Sequence, residues 1–204
     1  VVRTEGRRLS QMVEQILGFA GIQSGRAKFE LQPTVVEEVL CKALAACEPE
    51  IRASGCAVES RIAPDLPQVL ADATALTHAL RNLIDNAVAH GGQGKWLGLQ
   101  ARLAADGTGG RIEILVEDRG RGIDSRDLPH IFDPFYRGRR HAPEDEVRGF
   151  GLGLALAKRI VEAHAGTLSV ESNPGQGTRF FVRLPALAAP DEGTGEPTDS
   201  LDRG

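Results

Sequence analysis

The sequence predicts an α+β fold: a two-layer α/β sandwich in which a mixed sheet carries three main helices on one face, with a further helix at the N-terminus. Several segments place apolar residues three and four positions apart, which is the spacing of an amphipathic helix. Other segments alternate apolar and polar residues, as half-buried strands do. Turns that contain glycine or proline separate the two kinds of segment.

The first predicted helix covers roughly residues 3–24. Its apolar residues recur at helical spacing and share one face: Leu9, Met12, Val13, Ile16, Leu17 and Ala20. A single helix of this length cannot bury such a stripe alone, so it requires a partner. We therefore assign residues 1–26 to a separate helical unit and residues 27–185 to the main domain. Residues 186–204, an acidic segment without periodicity, are predicted to be a disordered tail.

The main domain follows as an ordered series of elements. Residues 28–31 suit a strand, and Thr34 is the predicted N-cap of a helix that runs to about Ser54. Asp72 is the predicted N-cap of the next helix, which ends at His90 before Gly91 and Gly92. The remaining predicted elements are strands at 56–62, 96–103 and 111–117, a helix at 152–165 ended by Gly166, and a hairpin of 167–171 and 178–184.

Composition and charge argue against several classes of function. The chain has 204 residues, enough for one domain with an appendage, and a formal net charge of −4, which gives no sign of a nucleic-acid-binding face. It has no run of about 18 apolar residues, so we expect no membrane contact by this part of the protein. Cys41, Cys47 and Cys56 lack the paired spacing of zinc ligands and are interpreted as thiols in a reducing compartment. A sequence that opens on Val-Val without methionine is typical of a fragment.

Two asparagines lie four residues apart on the third predicted helix. The side chains of Asn82 and Asn86 would emerge from the same face, one turn apart. Asparagine is a poor residue for a helix interior, so the pair needs an explanation. Two interpretations remain open: a solvent-facing polar pair, or an amide oxygen that ligates a hard cation such as Mg²⁺.

Two glycine-containing motifs flank a stretch of loop sequence. Asp118, Gly120 and Gly122 form an Asp-x-Gly-x-Gly motif directly after an apolar strand, where the carboxylate could accept a hydrogen bond from an exocyclic amine. Alone, this is also an ordinary turn sequence. The second motif, Gly-Phe-Gly-Leu-Gly-Leu at 149–154, leads into a helix. Such a helix start either binds an anion through its backbone N–H groups or is simply a flexible loop.

The order of these motifs resembles that of a known catalytic domain. The helix with two asparagines, Asp-x-Gly-x-Gly, Phe132-Asp133-Pro134-Phe135 and Gly-x-Gly-x-Gly-Leu resemble the N, G1, F and G2 boxes of the histidine kinases. These belong to the superfamily that also contains the gyrase and mismatch-repair ATPases. The resemblance covers roughly residues 30–185. It implies the ATP-binding catalytic region of a two-component sensor histidine kinase, which transfers the γ-phosphate of ATP, with Mg²⁺, to a histidine outside this chain.

The resemblance also implies a role for each matching residue. Asn86 would ligate Mg²⁺, while Asn82 and Arg137 would contact the phosphates as the catalytic residues. Asp118 would hold the adenine amino group, which predicts a preference for ATP over GTP, because the carbonyl oxygen of guanine would face this carboxylate. Residues 124–148 would form a mobile lid. The nucleotide pocket would be completed by Gly120, Gly122, Ile123, Gly149, Gly151, Leu152, Gly153, Leu154 and Thr178, with His90 either stacked near the base or satisfied at the helix end.

The first helix resembles the second helix of the dimerisation and histidine-phosphotransfer hairpin. This resemblance implies that the full protein is a homodimer through a four-helix bundle. The acceptor histidine of the family is followed by an acidic residue and then a proline, a context that is absent around His78, His90, His130, His141 and His164. The acceptor is therefore expected upstream. The implied partner is the receiver domain of a response regulator, and the implied location is the cytoplasm, in a parent protein that is commonly anchored in the membrane.

Two alternatives remain. A hydrolytic ATPase or serine kinase of the same superfamily would carry a general-base glutamate at the position of Asn82, whose amide cannot take up a proton at neutral pH. The other alternative is a degenerate kinase that serves for dimerisation or regulator binding. It is suggested by Ala89, where a basic residue is frequent, by His90, where an aromatic ring is common, and by Phe150 in place of a small hydroxyl residue.

Overall fold

The computed structural model describes residues 13, 16, 21, 28–91, 95–104, 110–138 and 150–187. They form the two-layer α+β sandwich that the sequence predicts. The strands are β1 (Gln32–Thr34), β2 (Ala57–Ile62), β3 (Val69–Ala71), β4 (Trp96–Ala104), β5 (Arg111–Asp118), β6 (Thr167–Ser172) and β7 (Thr178–Pro185). The main helices are α1 (Val36–Ser54), α2 (Ala73–His90) and α3 (Gly153–Ala163). Five strands form one sheet in the order β2-β4-β5-β7-β6, and β1 pairs with β3 in a separate two-stranded sheet.

The five-stranded sheet is mixed, as predicted. β2 and β4 are parallel, whereas the other neighbouring strands are antiparallel. A parallel pair needs a crossover connection, and β3 and α2 supply it, because they lie between β2 and β4 along the chain. The crossover returns α2 to the face of the sheet that carries the other helices.

One face of the sheet and the three helices form the core. Alternate residues of β5 and β7 are buried on this face: Ile112, Ile114, Val116, Phe180, Val182 and Leu184. The central helix is α2, which packs against both α1 and α3 and fully buries Leu76, Leu80 and Leu83. Burial of each large apolar side chain contributes roughly 1.5–3 kcal/mol to stability. This packing therefore fixes α2, and with it the two asparagines, relative to the sheet.

The structure corrects the start of the domain. The predicted strand at 28–31 is wrong, because the strand begins at Gln32 and pairs with β3. Thr34 is not a helix N-cap: it is the last residue of β1, and the single proton of its hydroxyl is shared between the carbonyl oxygens of Gln32 and Ala71. α1 instead begins at Val36, and its N-cap residue, Val35, makes no side-chain capping bond. The Thr34 hydroxyl, predicted to cap the helix, is instead hydrogen-bonded to Ala71 of β3.

Of the predictions for two later helix ends, one is right and one is wrong. Asp72 is the N-cap of α2, as predicted, and its carboxylate accepts a hydrogen bond from the N–H of Ala75. The predicted end of α3 is wrong by two residues, because the helix ends at Ala163. The residue with positive φ at this end is Ala165 (55°) and not Gly166, whose N–H donates to the carbonyl of Val161.

Both chain ends fall largely outside the described residues. Of the predicted N-terminal helix, Val13, Ile16 and Gly21 are described and are helical, with Val13 52% and Ile16 38% exposed. The predicted tail lies outside the described residues from 188 onward. Ala186 and Leu187, the first two residues of the predicted tail, donate their N–H groups to the carbonyl oxygens of Gly110 and Gln68, and the boundary at 185 stays a prediction. No helix in the part that the structure describes combines the length and the apolar character needed to cross a membrane.

Candidate functional site

Three polar residues form a row at one end of the sheet. Asp118 ends β5 and is paired in register with Thr178, which in turn pairs with Ser172 of β6. Side chains of directly paired residues lie on the same face, and this is the face that carries the apolar core. Asp118 is 2% and Thr178 5% exposed. On each of the three strands, the row of buried apolar residues thus ends in a polar residue, and the three polar residues are neighbours. One of them is Asp118, the carboxylate that the sequence analysis predicted to bind a base.

The carboxylate of Asp118 is held by backbone groups. Its Oδ1 accepts a hydrogen bond of 2.8 Å from the N–H of Gly120. Burial raises the pKa of Asp118, and the charge of Glu117 acts in the same direction, whereas the N–H groups of Gly120 and Thr178 oppose the rise. No cation forms an ion pair with Asp118 within the described ranges. A buried carboxylate that is partly satisfied in this way can accept a further hydrogen bond from a ligand.

The segment after Asp118 passes between α2 and the β6–β7 turn. A Cβ atom on Gly120 would overlap with the carbonyl oxygen of His90, the last residue of α2. Gly122 has φ +71°, and a Cβ there would overlap with the carbonyl oxygen of Asn173 in the turn. These contacts require glycine at both positions of the motif and bring the end of α2 against the polar row. The predicted ring stacking of His90 stays a prediction; its backbone forms the contact with Gly120.

Ile123, the last residue of this segment, is anchored by a side chain that the sequence analysis did not identify. Its N–H donates to the hydroxyl of Ser172 at 2.9 Å, and the same hydroxyl contacts the carbonyl of Gly177 and the hydroxyl of Thr178. A serine just before an Asn-Pro-Gly turn carries no signal for this role in the sequence. The role depends on the cross-strand register with Thr178, which becomes visible once the strands are aligned.

The asparagines of α2 differ in their environments. Asn82 is 7% exposed, and its Nδ2 is buried without a hydrogen-bond partner among the described residues. Its Oδ1 lies 3.4 Å from the place that a Cβ on Gly153 would occupy, so Asn82 abuts the start of α3. Asn86 is half-buried one turn further along α2, toward His90. A buried polar group without a partner calls for a ligand or an ordered water. The interpretation of the pair as solvent-facing is therefore wrong for Asn82.

The start of α3 has the geometry of an anion site. Gly151 has φ +72°, and its carbonyl accepts a hydrogen bond from the N–H of Phe135. The N-cap residue, Leu152, is buried and its side chain makes no capping hydrogen bond. The N–H groups of the first turn can therefore still donate to a ligand. They also lie at the positive end of the helix dipole. Gly153 and Leu154 form this first turn, with Leu154 packed against the core. Gly149, the first glycine of the predicted motif, lies outside the described residues.

The first part of the predicted lid, 124–138, is folded against the domain. Phe132 packs edge-on to Phe180 at 6.5 Å between ring centroids, which anchors the predicted Phe-Asp-Pro-Phe box to the core. The hydroxyl of Tyr136 donates to the buried carboxylate of Asp127 at 2.8 Å. Arg137 follows on the exposed side of the segment, and its contact with phosphate stays a prediction. Residues 139–148 of the predicted lid lie outside the described residues.

α2 thus joins the parts of the site. Asn82 contacts the start of α3, and His90 contacts the glycine that follows Asp118. Among the predicted site residues, the structure therefore brings together the asparagine helix, the Asp-x-Gly-x-Gly segment, the start of α3 and Thr178. The resulting arrangement combines hydrogen-bond acceptors at the sheet end with donors at a helix start, which suits a ligand with an amine at one end and negative charge at the other.

The chain is similar to proteins of a known family. The sequence model of the family described as "Histidine kinase-, DNA gyrase B-, and HSP90-like ATPase" matches residues 71–188, more than half of the chain. Among the relatives, the alginate biosynthesis sensor protein KinB of Pseudomonas aeruginosa is 34% identical over 185 residues, which are 90% of this chain and 29% of KinB. The sensor-like histidine kinase SenX3 of Mycobacterium tuberculosis is 34% identical over 187 residues, 91% of this chain and 44% of SenX3. The chain spans less than half the length of these relatives.

Solved structures show the same fold. Full-length ShkA in complex with AMPPNP superposes with a TM-score of 0.76 and 28% sequence identity, over 92% of this chain and 38% of ShkA. The mycobacterial sensor histidine kinase MprB superposes with a TM-score of 0.64 and 26% identity, over 78% of this chain and 99% of that structure. The matched part of this chain therefore has the architecture found in these two structures.

Proposed function

Because the chain belongs to the family of histidine kinase-, DNA gyrase B- and HSP90-like ATPases, we propose that it binds ATP and is the catalytic region of a sensor histidine kinase. The observation that carries the proposal is Asp118, a carboxylate 2% exposed that is partly satisfied by backbone N–H groups and stands beside Thr178. The sensor and histidine kinase names of the relatives support the choice of phosphoryl transfer within this family.

In this proposal Asp118 and Thr178 of the polar row hold the base. Asp118 accepts a hydrogen bond from the exocyclic amine of adenine, and Thr178 contacts the same edge. Guanine presents a carbonyl oxygen where adenine presents the amine. Two acceptors would then face one another, and buried polar groups would be left without partners. ATP is therefore bound more tightly than GTP.

The amide oxygens expected near the phosphates of ATP are suitable ligands for a cation that prefers oxygen. Mg²⁺ is usually held by one or two protein oxygens, with phosphate oxygens and waters completing its shell. The described residues contain no group of three or more His, Cys, Asp or Glu that could hold a metal by themselves. The amide oxygen of Asn86, half-buried beside the orphaned amide of Asn82, fits this role. Bound Mg²⁺ would neutralise part of the phosphate charge.

The phosphates would meet hydrogen-bond donors. Asn82 offers its buried Nδ2, which needs an acceptor, and the first turn of α3 offers backbone N–H groups. Arg137 would add a positive charge from the segment beside α3. Asn82 cannot act as a general base, since an amide does not take up a proton at neutral pH. The site therefore positions ATP for transfer to another group and does not activate water.

The proposal extends to the parent protein. The acceptor histidine lies outside this chain, and a response-regulator receiver domain takes the phosphoryl group from it. The exposed Val13 and Ile16 on the helical N-terminal segment fit the predicted pairing with a second copy in a four-helix bundle. We expect this catalytic part to act in the cytoplasm.

The proposal is tested with γ-labelled ATP. The chain is incubated with ATP and Mg²⁺, alone or with a polypeptide that carries the parent's phosphotransfer hairpin. We expect slow release of inorganic phosphate and acid-labile phosphate on the histidine of the hairpin. Fast hydrolysis without the hairpin would favour the hydrolytic ATPase alternative. Binding of the hairpin without any binding of ATP would favour the degenerate kinase.

A further inference from the structure

Ser172 is the third member of the polar row, and the proposed function gives it no role so far. It is the last residue of β6, is half-buried, and faces Thr178 in register. Its Oγ has three neighbours: the carbonyl oxygen of Gly177 at 2.7 Å, the N–H of Ile123 at 2.9 Å and the hydroxyl oxygen of Thr178 at 3.1 Å. The hydroxyl is therefore at its full capacity of one donated and two accepted hydrogen bonds.

The identities of these neighbours fix the direction of every bond. A carbonyl oxygen can only accept, so Ser172 must give its single proton to Gly177. The N–H of Ile123 can only donate, so it occupies one lone pair of the serine. The remaining contact then requires that Thr178 donates its proton to Ser172. If Ser172 donated to Thr178 instead, no proton would lie between the Ser172 hydroxyl oxygen and the Gly177 carbonyl oxygen, and their lone pairs would face one another at 2.7 Å.

The consequence lies at Thr178. Once its proton is committed to Ser172, the threonine hydroxyl has lone pairs alone to offer to any other partner. Thr178 is paired on its other side with Asp118, whose carboxylate is also an acceptor. The end of the sheet therefore presents two neighbouring acceptors and no hydroxyl donor from Thr178.

We propose that Ser172 is a positioning residue for base selection: it holds the Thr178 hydroxyl as an acceptor, so that the pocket favours a purine with an amino group at C6 over one with a carbonyl oxygen there. This inference rests on the proposed ATP site and adds a specificity-determining residue to it. Without Ser172, the Thr178 hydroxyl is released, can turn its proton into the pocket and can donate to a 6-oxo group. The discrimination by Asp118 remains, so selectivity falls but does not vanish.

The experiment compares binding of ATP and of inosine triphosphate, which carries a carbonyl oxygen at C6, by calorimetry on the full 204-residue chain. The variants are Ser172→Ala, Ser172→Cys, which nearly keeps the size but accepts hydrogen bonds poorly, and Ser172→Thr, which keeps the hydroxyl. Ser169→Ala is the matched control, because Ser169 lies on the same strand at an odd offset and so on the opposite face. Thermal unfolding verifies that each variant is folded, and the cysteine variant serves if the alanine variant is not.

We expect Ser172→Ala and Ser172→Cys to reduce the preference for ATP over inosine triphosphate about three- to tenfold, the worth of one neutral hydrogen bond. Ser172→Thr and Ser169→Ala should keep the wild-type ratio. In a Thr178→Val background, loss of Ser172 should leave the ratio unchanged, because no hydroxyl remains to reorient.

Two results would overturn the inference and one would overturn its premise. An unchanged ratio in folded Ser172→Ala and Ser172→Cys, even with both nucleotides bound more weakly, would mean that Ser172 supports the fold without setting selectivity. An equal loss of ratio in Ser172→Thr would mean that the hydroxyl is not the cause. Absence of ATP binding to the wild-type chain would instead refute the proposed function itself.

Discussion

At the scale of the residue, Asn82 carries a buried polar atom that its neighbours leave without a hydrogen bond. A buried amide nitrogen without a partner among the described residues costs about 1–3 kcal/mol. The surrounding packing nevertheless holds it against the start of α3. Such a cost is explained if the amide is satisfied when a ligand is present, because the protein then holds a donor ready for a phosphate oxygen.

This explanation predicts the behaviour of Asn82→Ala. Without nucleotide, its free energy of unfolding should stay within about 1 kcal/mol of wild type, because the loss of packing is offset by removal of an unsatisfied group. Its affinity for ATP should fall about 10- to 100-fold, the worth of a hydrogen bond to a charged partner. Urea unfolding and calorimetry measure the two quantities. A large loss of stability with unchanged affinity would show that Asn82 is a packing residue.

At the scale of the element, the start of α2 is joined to the end of α3 by His164. The ring is 3% exposed, its Nδ1 lies 2.6 Å from the carbonyl oxygen of Ile160, and its Nε2 accepts from the N–H of Asp72 at 2.9 Å. These two partners require the neutral tautomer with the proton on Nδ1. The Asp72 carboxylate also accepts from the N–H of Glu30, so one N-cap residue connects both helices with the segment before β1.

Asp72→Ala should therefore lower the free energy of unfolding by about 1–2 kcal/mol, the usual cost of losing an N-cap. Asp72→Asn is the matched control, because asparagine caps helices as well as aspartate does and should stay within about 0.5 kcal/mol of wild type. Urea unfolding followed by circular dichroism measures both. Equal losses in the two variants would show that charge, and not capping, is the contribution of Asp72.

On the face of the sheet opposite the helices, Glu113 is held by two arginines. Its carboxylate is buried between Arg102 and Arg183, both at 2.7 Å. Burial by itself raises its pKa, but the hydrogen bonds from the two arginines outweigh burial and hold the pKa below its usual value. A carboxyl group with a lowered pKa in the folded state stabilises the fold above its unfolded pKa, and the contribution is lost as the pH falls through the folded-state pKa.

Glu113→Gln should thus lower stability at pH 7 by about 1 kcal/mol, a modest value because both arginines are exposed to solvent. The difference from wild type should shrink as the pH is lowered below the ordinary pKa of glutamate. Glu48→Gln, which removes an exposed partner of Arg52, is the control and should change stability by less than about 0.5 kcal/mol. A difference that grows toward acid pH would contradict the assigned direction of the shift.

The elements that the sequence predicted are those with long, regular patterns. β4, β5, β7 and α2 were found within one or two residues, because burial of one face imposes a period on the sequence. β1 and β3 are too short to show a period, so the pairing that occupies Thr34 could not be foreseen. The absence of a local sequence pattern also explains which residues of the proposed site could not be predicted. Asp118 and Asn82 enter the proposed site through motifs, whereas Ser172 enters it through a cross-strand contact with Thr178 that no local pattern encodes.

At the scale of the whole molecule, the proposed site is assembled from segments far apart in the sequence. α2 supplies the asparagines, β5 the carboxylate, α3 a helix start, and the β6–β7 hairpin the hydroxyls. α2 contacts the segment after β5 through His90 and Gly120, and it contacts the start of α3 through Asn82 and Gly153. Because the core between helices and sheet fixes α2, ligand binding and global stability are linked. A ligand at 100 times its dissociation constant should stabilise the fold by about 2.7 kcal/mol.

The proposed function requires that this assembly binds ATP and that Asp118 holds the base. The most direct measurement is calorimetric titration of the wild-type chain with ATP, with and without Mg²⁺, beside Asp118→Asn and the control Asp65→Asn, which makes the same change at an exposed position. We expect binding that strengthens with Mg²⁺, is retained by Asp65→Asn and is reduced at least tenfold by Asp118→Asn. Absence of binding to the folded wild-type chain, or equal affinity in both variants, would contradict it.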